Sequence, residues 1–317
     1  MFLNVILLIV GLFVLILGGD FLVRGASNIA LRFHISPLVV GLTIVAFGTS
    51  APELLISVKA ALAGSPDLAM GNVVGSNICN LALVLGITCV IEPIHVRSDS
   101  MKIDWPVAMG SAILLYFVAR EGYINRTEGI LFFGLLLTYT FFIIRKSRKE
   151  TKSMRDIEDE LDLSESTTSN AWKDVVYLMI GGLGLYYGSE WFVGGAQDLA
   201  RELGVSERVI GITVLALGTS LPELVTAIVA ALKKETDLAL GNLMGSNIFN
   251  ILSILGITSM ITEIKVSAEI ISHDMLPMLG ITLLILPFMI TGRNIGRLEG
   301  VALLIIYVVY TYSVVAA

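Results

Sequence analysis

The chain has 317 residues, 55% of them hydrophobic and only 15% charged, with a net charge of −6. Soluble domains carry about 25% charged residues, so this composition excludes an ordinary soluble domain, and the acidic balance excludes a nucleic-acid partner. Two cysteines, Cys79 and Cys89, share one apolar stretch without metal-ligand spacing, which excludes a disulfide framework and a zinc site.

Long apolar stretches recur, several of them near the roughly 20 residues needed to cross a hydrocarbon core of about 30 Å. Lipid offers no partner to backbone N–H and C=O groups, so such segments are helices or strands of a closed barrel. Val107–Ala119 and Ile130–Ile144 lack the strict alternation of barrel strands. The predicted fold class is therefore an all-α membrane protein with ten transmembrane helices. They fall near residues 2–22, 37–63, 68–91, 103–119, 125–144, 173–199, 207–232, 238–261, 270–290 and 297–315.

Phe2–Leu17 reads as the first membrane helix and not as a signal peptide, because no Lys or Arg precedes Arg24. Asp20 lies near the end of that span, where it could reach interfacial water, and Glu190 is placed likewise in the sixth. In the second span Gly48-Thr-Ser-Ala-Pro-Glu53 breaks an apolar helix. Pro52 donates no N–H and crowds the carbonyl one turn earlier, so a kink is predicted with freed carbonyls from Ala46 to Thr49. Glu53 is expensive there: an ionised acid near a helix centre costs about 2.5–3.5 kcal/mol on insertion scales. In the third span Asn72, Ser76 and Asn80 repeat every four residues and form one polar stripe. Arg145–Trp172 follows the fifth span, basic then acidic, and reads as a solvated linker.

Beyond the linker the first half recurs at an offset of 170. Gly41–Leu54 matches Gly211–Leu224 at nine of fourteen positions, and Gly71–Asn80 matches Gly241–Asn250 at seven of ten. Glu223, Thr219, Ser220 and Ala216 thus repeat Glu53, Thr49, Ser50 and Ala46, while Ser246 and Asn250 repeat Ser76 and Asn80. Five spans per half is an odd number, so the halves enter the membrane in opposite senses. Placing both ends outside puts fifteen of the 21 Lys and Arg residues on the linker side, in keeping with the positive-inside rule. The expected organisation is a five-helix repeat over 1–144, a cytosolic linker over 145–172, and a second repeat over 173–317. Inverted repeats of this kind place their substrate near the midplane, where interrupted helices meet.

No basic residue in the motifs could neutralise Glu53 and Glu223. A divalent cation or protons must do so, the bland alternative being a pair of protonated, hydrogen-bonded acids. Two carboxylates match one Ca²⁺ and offer up to four oxygens toward a shell of about six to eight at roughly 2.3–2.6 Å. Neutral hydroxyl and amide oxygens of the stripes suit Na⁺. Cation contact is expected for Ser76, Asn80, Ser246 and Asn250, and interhelical bonding for Asn72, Asn77, Asn242 and Asn247.

The two G-T-S-x-P-E-L motifs and the two G-N-x-x-G-S-N-I-x-N motifs resemble the repeats of the calcium/cation antiporter superfamily, in its prokaryotic sodium/calcium exchanger branch. The resemblance covers essentially the whole chain and implies an inverted five-plus-five helix fold with clustered cation sites. It implies that Glu53 and Glu223 bind Ca²⁺ with the Thr49 and Thr219 carbonyls. It further implies that Na⁺ uses Ala46, Ser50, Ser76, Ala216, Ser220 and Ser246 with the same glutamates, with Asn80 and Asn250 at the remaining polar positions. Some relatives carry an acid where this chain has Asn250, which argues against K⁺ co-transport. The short linker departs from animal exchangers, whose large loop senses calcium.

The function expected is secondary active antiport of Na⁺ for Ca²⁺ by alternating access, with H⁺/Ca²⁺ antiport on the same fold as the alternative. No enzymatic activity and no cofactor are implied, since an intramembrane hydrolase would want a further base or nucleophile and no His lies in any motif. Ca²⁺ and Na⁺ are the transported substrates and the lipid bilayer of the cell membrane is the setting. Neither a nucleic acid nor an obligate protein partner is indicated.

Overall fold

The computed structural model describes residues 2–160, 171–204 and 216–316. The first helix, α1 (Phe2–Phe33), is followed by a bent pair, α2 (Pro37–Thr49) and α3 (Ala51–Leu62). Then come α4 (Leu68–Ile91), α5 (Ser100–Ala119) and α6 (Arg126–Glu160). The second half contributes α7 (Ala171–Glu202), α8 (Ala216–Thr219), α9 (Leu221–Leu232), α10 (Thr236–Ile261), α11 (Ile270–Arg293) and α12 (Arg297–Ala316). Among the described residues seven of these are long and apolar enough to span a membrane, and the bent pair α2–α3 makes an eighth. The helix α7 is long enough but is not among them, because its glycines and tyrosines dilute its hydropathy. Of the predicted seventh span, residues 207–215 lie outside the described residues.

Two helices outrun their predicted ends. α1 continues past residue 22 to Phe33. The charges that close the apolar run do not close the helix, because they pair within it and onto α7. Arg24 meets Asp20 at 2.8 Å one turn away, and Asn28 and Arg32 donate to Asp174 of α7 at 2.9 and 3.0 Å. Asp20 is therefore well inside α1 and not near its end, and it also holds Lys233 at 2.6 Å. Glu190 is likewise inside α7, and exposed. Similarly, α6 runs on beyond residue 144 through Glu160, so the first part of the predicted linker is helical. Good helix formers and pairs such as Lys146–Glu150 at 3.5 Å support it. Linker residues 161–170 lie outside the described residues.

Packing without a hydrophobic drive between helices relies on small residues and close backbones. Along the α1–α7 seam glycines from both helices interlock: a Cβ on Gly18 would stand 2.7 Å from the Leu185 backbone N. Elsewhere the contacts are exchanged between the halves. Gly86 of α4 abuts Gly300 of α12, and Gly129 of α6 abuts Gly256 of α10. Two short antiparallel pairings follow the same rule: β1 (Ile94–His95) pairs with β4 (Asn294–Ile295), and β2 (Tyr123–Ile124) with β3 (Ile264–Lys265). The offset between halves grows to 171 just before β4, so Tyr139–Asp104 and Tyr310–Asp274 are equivalent hydrogen bonds, each 2.9 Å. The most enclosed element is α10, which packs against α2, α9 and α4 and forms the centre of the molecule.

Candidate cation-binding site

The break in the second span falls at Ser50, whose φ of −88° and ψ of 5° leave the helix, and α2 meets α3 there at 45°. Pro52 belongs to the first turn of α3, where a missing N–H leaves nothing unsatisfied. The predicted kink is thus the start of a new helix. Ser220, at φ −91° and ψ 7°, does the same before α9, with Pro222 in its first turn.

Glu53 and Glu223 therefore sit in the first turns of α3 and α9. Backbone N–H groups at a helix start favour a carboxylate by about 0.3–2 kcal/mol. This offsets part of the cost of burial but not all of it. The carbonyls expected to be free differ from the sequence reading in one respect. The Ala46 carbonyl accepts the Ser50 N–H at 3.0 Å, because the last turn of α2 is completed before the break. Ala216 is the first residue of α8.

Side chains from α2, α9 and α10 converge on one carboxylate. The Ser50 hydroxyl donates to Glu223 Oε1 at 2.9 Å, and the Ser246 hydroxyl lies 3.5 Å from the same oxygen. Thr49 Oγ1 lies 3.2 Å from Asn242 Oδ1 and 3.4 Å from the Ser246 hydroxyl. Thr219 is partly buried and makes a polar contact of its own. The opposite half-site is arranged differently. Ser220 does not mirror Ser50, and neither oxygen of Glu53 has a hydrogen-bond partner among the described residues.

Other buried oxygens in the same condition gather from the predicted set. They are Glu223 Oε2, Ser76 Oγ, Ser220 Oγ, Asn80 Oδ1 and Asn250 Oδ1. Roughly 90% or more of buried polar groups in proteins are paired, and each orphan costs about 1–3 kcal/mol. Unpartnered carboxylate, hydroxyl and amide oxygens are the donors hard cations take. Among the described residues no group of three or more His, Cys, Asp and Glu side chains is placed to hold a metal ion, so the candidate site offers two carboxylates with neutral oxygens.

The other asparagines join helices. Asn77 Nδ2 donates to the Asn247 carbonyl at 3.3 Å, and Asn247 Nδ2 returns the bond to the Asn77 carbonyl at 3.2 Å. Asn72 reaches Ser57 at 3.1 Å and the Glu53 carbonyl at 3.4 Å. Asn250 also joins helices: its amide N donates to Asn77 Oδ1 at 3.0 Å, while its own Oδ1 has no partner among the described residues.

Sequence reasoning missed the π-helical turns that aim these groups. They occupy Gly41–Val45, Cys79–Val84 and Asn250–Leu255, and two of them carry Asn80 and Asn250. Such wide turns recur at functional sites, but their residue preferences do not differ enough from α-helix to leave a mark in one sequence.

Comparison with known proteins agrees in extent as well as kind. The family described as sodium/calcium exchanger protein matches residues 3–145 and 173–316. CaxA of Alkalimonas amylolytica is 39% identical over 313 residues, spanning 97% of each chain. The sodium/calcium exchanger MaX1 of Methanosarcina acetivorans is 32% identical, again over 97% of each. A solved structure of the sodium-calcium exchanger NCX_Mj, soaked with Na⁺ and Sr²⁺, matches with a TM-score of 0.85 at 31% identity, over 98% of this chain and 99% of that one. The chain is thus a multi-pass membrane protein and a member of the sodium/calcium exchanger family of cation antiporters.

Proposed function

We propose that the chain exchanges Na⁺ for Ca²⁺ by alternating access at a midplane site around Glu53 and Glu223. The observation that carries this reading is that Glu53 and Glu223, in the first turns of α3 and α9, keep buried oxygens without partners among the described residues, as do Ser76, Ser220, Asn80 and Asn250. Ca²⁺ would be held by both carboxylates with the backbone oxygens of Thr49 and Thr219. Na⁺ ions would use the hydroxyls of Ser50, Ser76, Ser220 and Ser246, the backbone oxygens of Ala46 and Ala216, the same glutamates, and the amide oxygens of Asn80 and Asn250. The ligand sets overlap, so the two ions exclude one another. Loading neutralises the acids and lowers the cost of moving a gate past them; the empty, doubly charged site resists reorientation. The likeness to MaX1 and NCX_Mj, both sodium/calcium exchangers, supports the ion pair.

The architecture that goes with this function is ten helices in two inverted five-helix repeats, residues 1–144 and 173–317, joined by a cytoplasmic linker over 145–172. Both termini would face outward from the cell membrane. Exchange of equivalent contacts between the halves supports the repeats, and the excess of Lys and Arg on the linker side supports the orientation.

The ion coupling is tested in proteoliposomes of the purified chain. Vesicles loaded with Na⁺ and diluted into Na⁺-free medium should accumulate ⁴⁵Ca²⁺ against its gradient. Accumulation driven by a pH gradient in the absence of Na⁺ would replace this reading with H⁺/Ca²⁺ antiport.

A further inference from the structure

The break before α9 is held from outside by α7, and the break before α3 has no such support. In a continuous helix the Gly218 carbonyl would accept the N–H of residue 222, but Pro222 has none to give. The donor comes from another helix: the buried Ser189 hydroxyl of α7 donates to the Gly218 carbonyl at 2.9 Å. A serine within a helix commonly turns its hydroxyl back onto the carbonyl four residues earlier. Ser189 reaches across instead. One turn further along the same face of α7, Val193 closes on the same residue: a Cβ on Gly218 would stand 2.5 Å from Val193 Cγ2. The first half repeats the loss but not the remedy. Pro52 removes the N–H that the Gly48 carbonyl would meet, and Gly19, at the place of Ser189 in the repeat, has no hydroxyl to offer. A Cβ on Gly48 would meet Leu22 Cδ1 at an ordinary 3.9 Å.

We infer, on the reading of Thr219 as a Ca²⁺ ligand, that Ser189 is a positioning residue which fixes the Gly218–Thr219 peptide and so aims the Thr219 carbonyl. The peptide unit is planar and rigid, so a hydrogen bond to its carbonyl oxygen fixes the plane from which Thr219 continues. The Thr219 carbonyl is the next oxygen along the chain, and only the torsions of Thr219 itself lie between the two. Without the Ser189 hydroxyl the Gly218 carbonyl is left buried and unpaired. The peptide is then free to turn toward another donor, and the Thr219 carbonyl turns with it. Ser189 touches no ion in this account. Its effect falls on Ca²⁺ and not on Na⁺, because the Thr219 carbonyl belongs to the Ca²⁺ set alone.

The test uses the full chain in proteoliposomes and follows Na⁺-driven ⁴⁵Ca²⁺ uptake. Ser189→Ala should raise the external Ca²⁺ concentration for half-maximal uptake by about three- to tenfold, the scale of one neutral hydrogen bond. The maximal rate and the internal Na⁺ concentration for half-maximal uptake should stay as in the wild type. Ser189→Thr keeps a hydroxyl and should restore the wild-type Ca²⁺ value. Ser189→Cys replaces the hydroxyl by a thiol, a weak donor, and should raise the value as Ala does; it carries the test should Ser189→Ala fail to fold. An unshifted Ca²⁺ value in the Ala or Cys variant overturns the inference, as does a parallel rise for both ions or a Thr variant that behaves like Ala. Glu223→Gln in the same assay keeps two failures apart. Wild-type uptake there removes the glutamate site itself, whereas lost uptake there beside an unshifted Ser189→Ala removes only the role of Ser189.

Discussion

Ser50 occupies a place where two jobs meet. Its backbone ends α2, and its hydroxyl crosses to the other half of the chain to hold Glu223 Oε1 at 2.9 Å. A hydrogen bond to a charged group contributes about 1.5–3 kcal/mol. Because Ser50 belongs to the proposed Na⁺ set, Ser50→Ala should lower apparent Na⁺ affinity by about tenfold, read as the internal Na⁺ concentration giving half-maximal ⁴⁵Ca²⁺ uptake. An unchanged half-maximal concentration would remove Ser50 from the site. The reciprocal amide bonds of Asn77 and Asn247 have a structural outcome instead. Either Ala substitution should cost about 1–2 kcal/mol in thermal stability, and the double variant less than the sum, since both remove one joint. Additive losses would show that the two amides act independently. The acids and hydroxyls of the site were legible because they are costly in an apolar stretch and recur at one offset. The π turns at Cys79–Val84 and Asn250–Leu255, which carry Asn80 and Asn250, were not legible, because no residue pattern announces them.

At the scale of elements, backbone proximity decides what is rigid. The seam between α1 and α7 admits no side chain at Gly18, where a Cβ would lie within 2.7 Å of a backbone nitrogen. Gly18→Val should force the helices apart at a cost of about 1–3 kcal/mol or more, seen as a lowered thermal midpoint in detergent. A wild-type midpoint would contradict a close-packed seam at Gly18. The same seam explains the misjudged end of α1. Hydropathy falls away at Arg24, but Asp20, Asn28, Arg32 and Asp174 keep the helix paired to Phe33. The helix breaks, by contrast, were legible from Gly, Ser and Pro. What the sequence could not convey was that Pro52 and Pro222 open new helices, which sets the glutamates at helix starts and not in the middle of a kinked rod.

For the whole molecule, the exchanged pairings of Gly86 with Gly300 and Gly129 with Gly256 require the two halves to be built together, each completing the other's packing. Duplication was readable from identity at a fixed offset; the exchange of contacts was not, because an offset says nothing about which copy a residue touches. The orientation proposed for these halves places the linker in the cytoplasm. A cysteine introduced at residue 155 should react with an impermeant maleimide only after cells are permeabilised, the native Cys79 and Cys89 being buried. Labelling in intact cells would reverse the orientation. The central claim is that Glu53 and Glu223 together hold the transported Ca²⁺, and Na⁺-gradient-driven ⁴⁵Ca²⁺ uptake by Glu53→Gln and Glu223→Gln proteoliposomes tests it most directly. Removing one charge from a site of two carboxylates should reduce uptake by about a hundredfold or more in each variant, the loss of a charged ligand being several kcal/mol, while wild-type uptake in either would contradict the account.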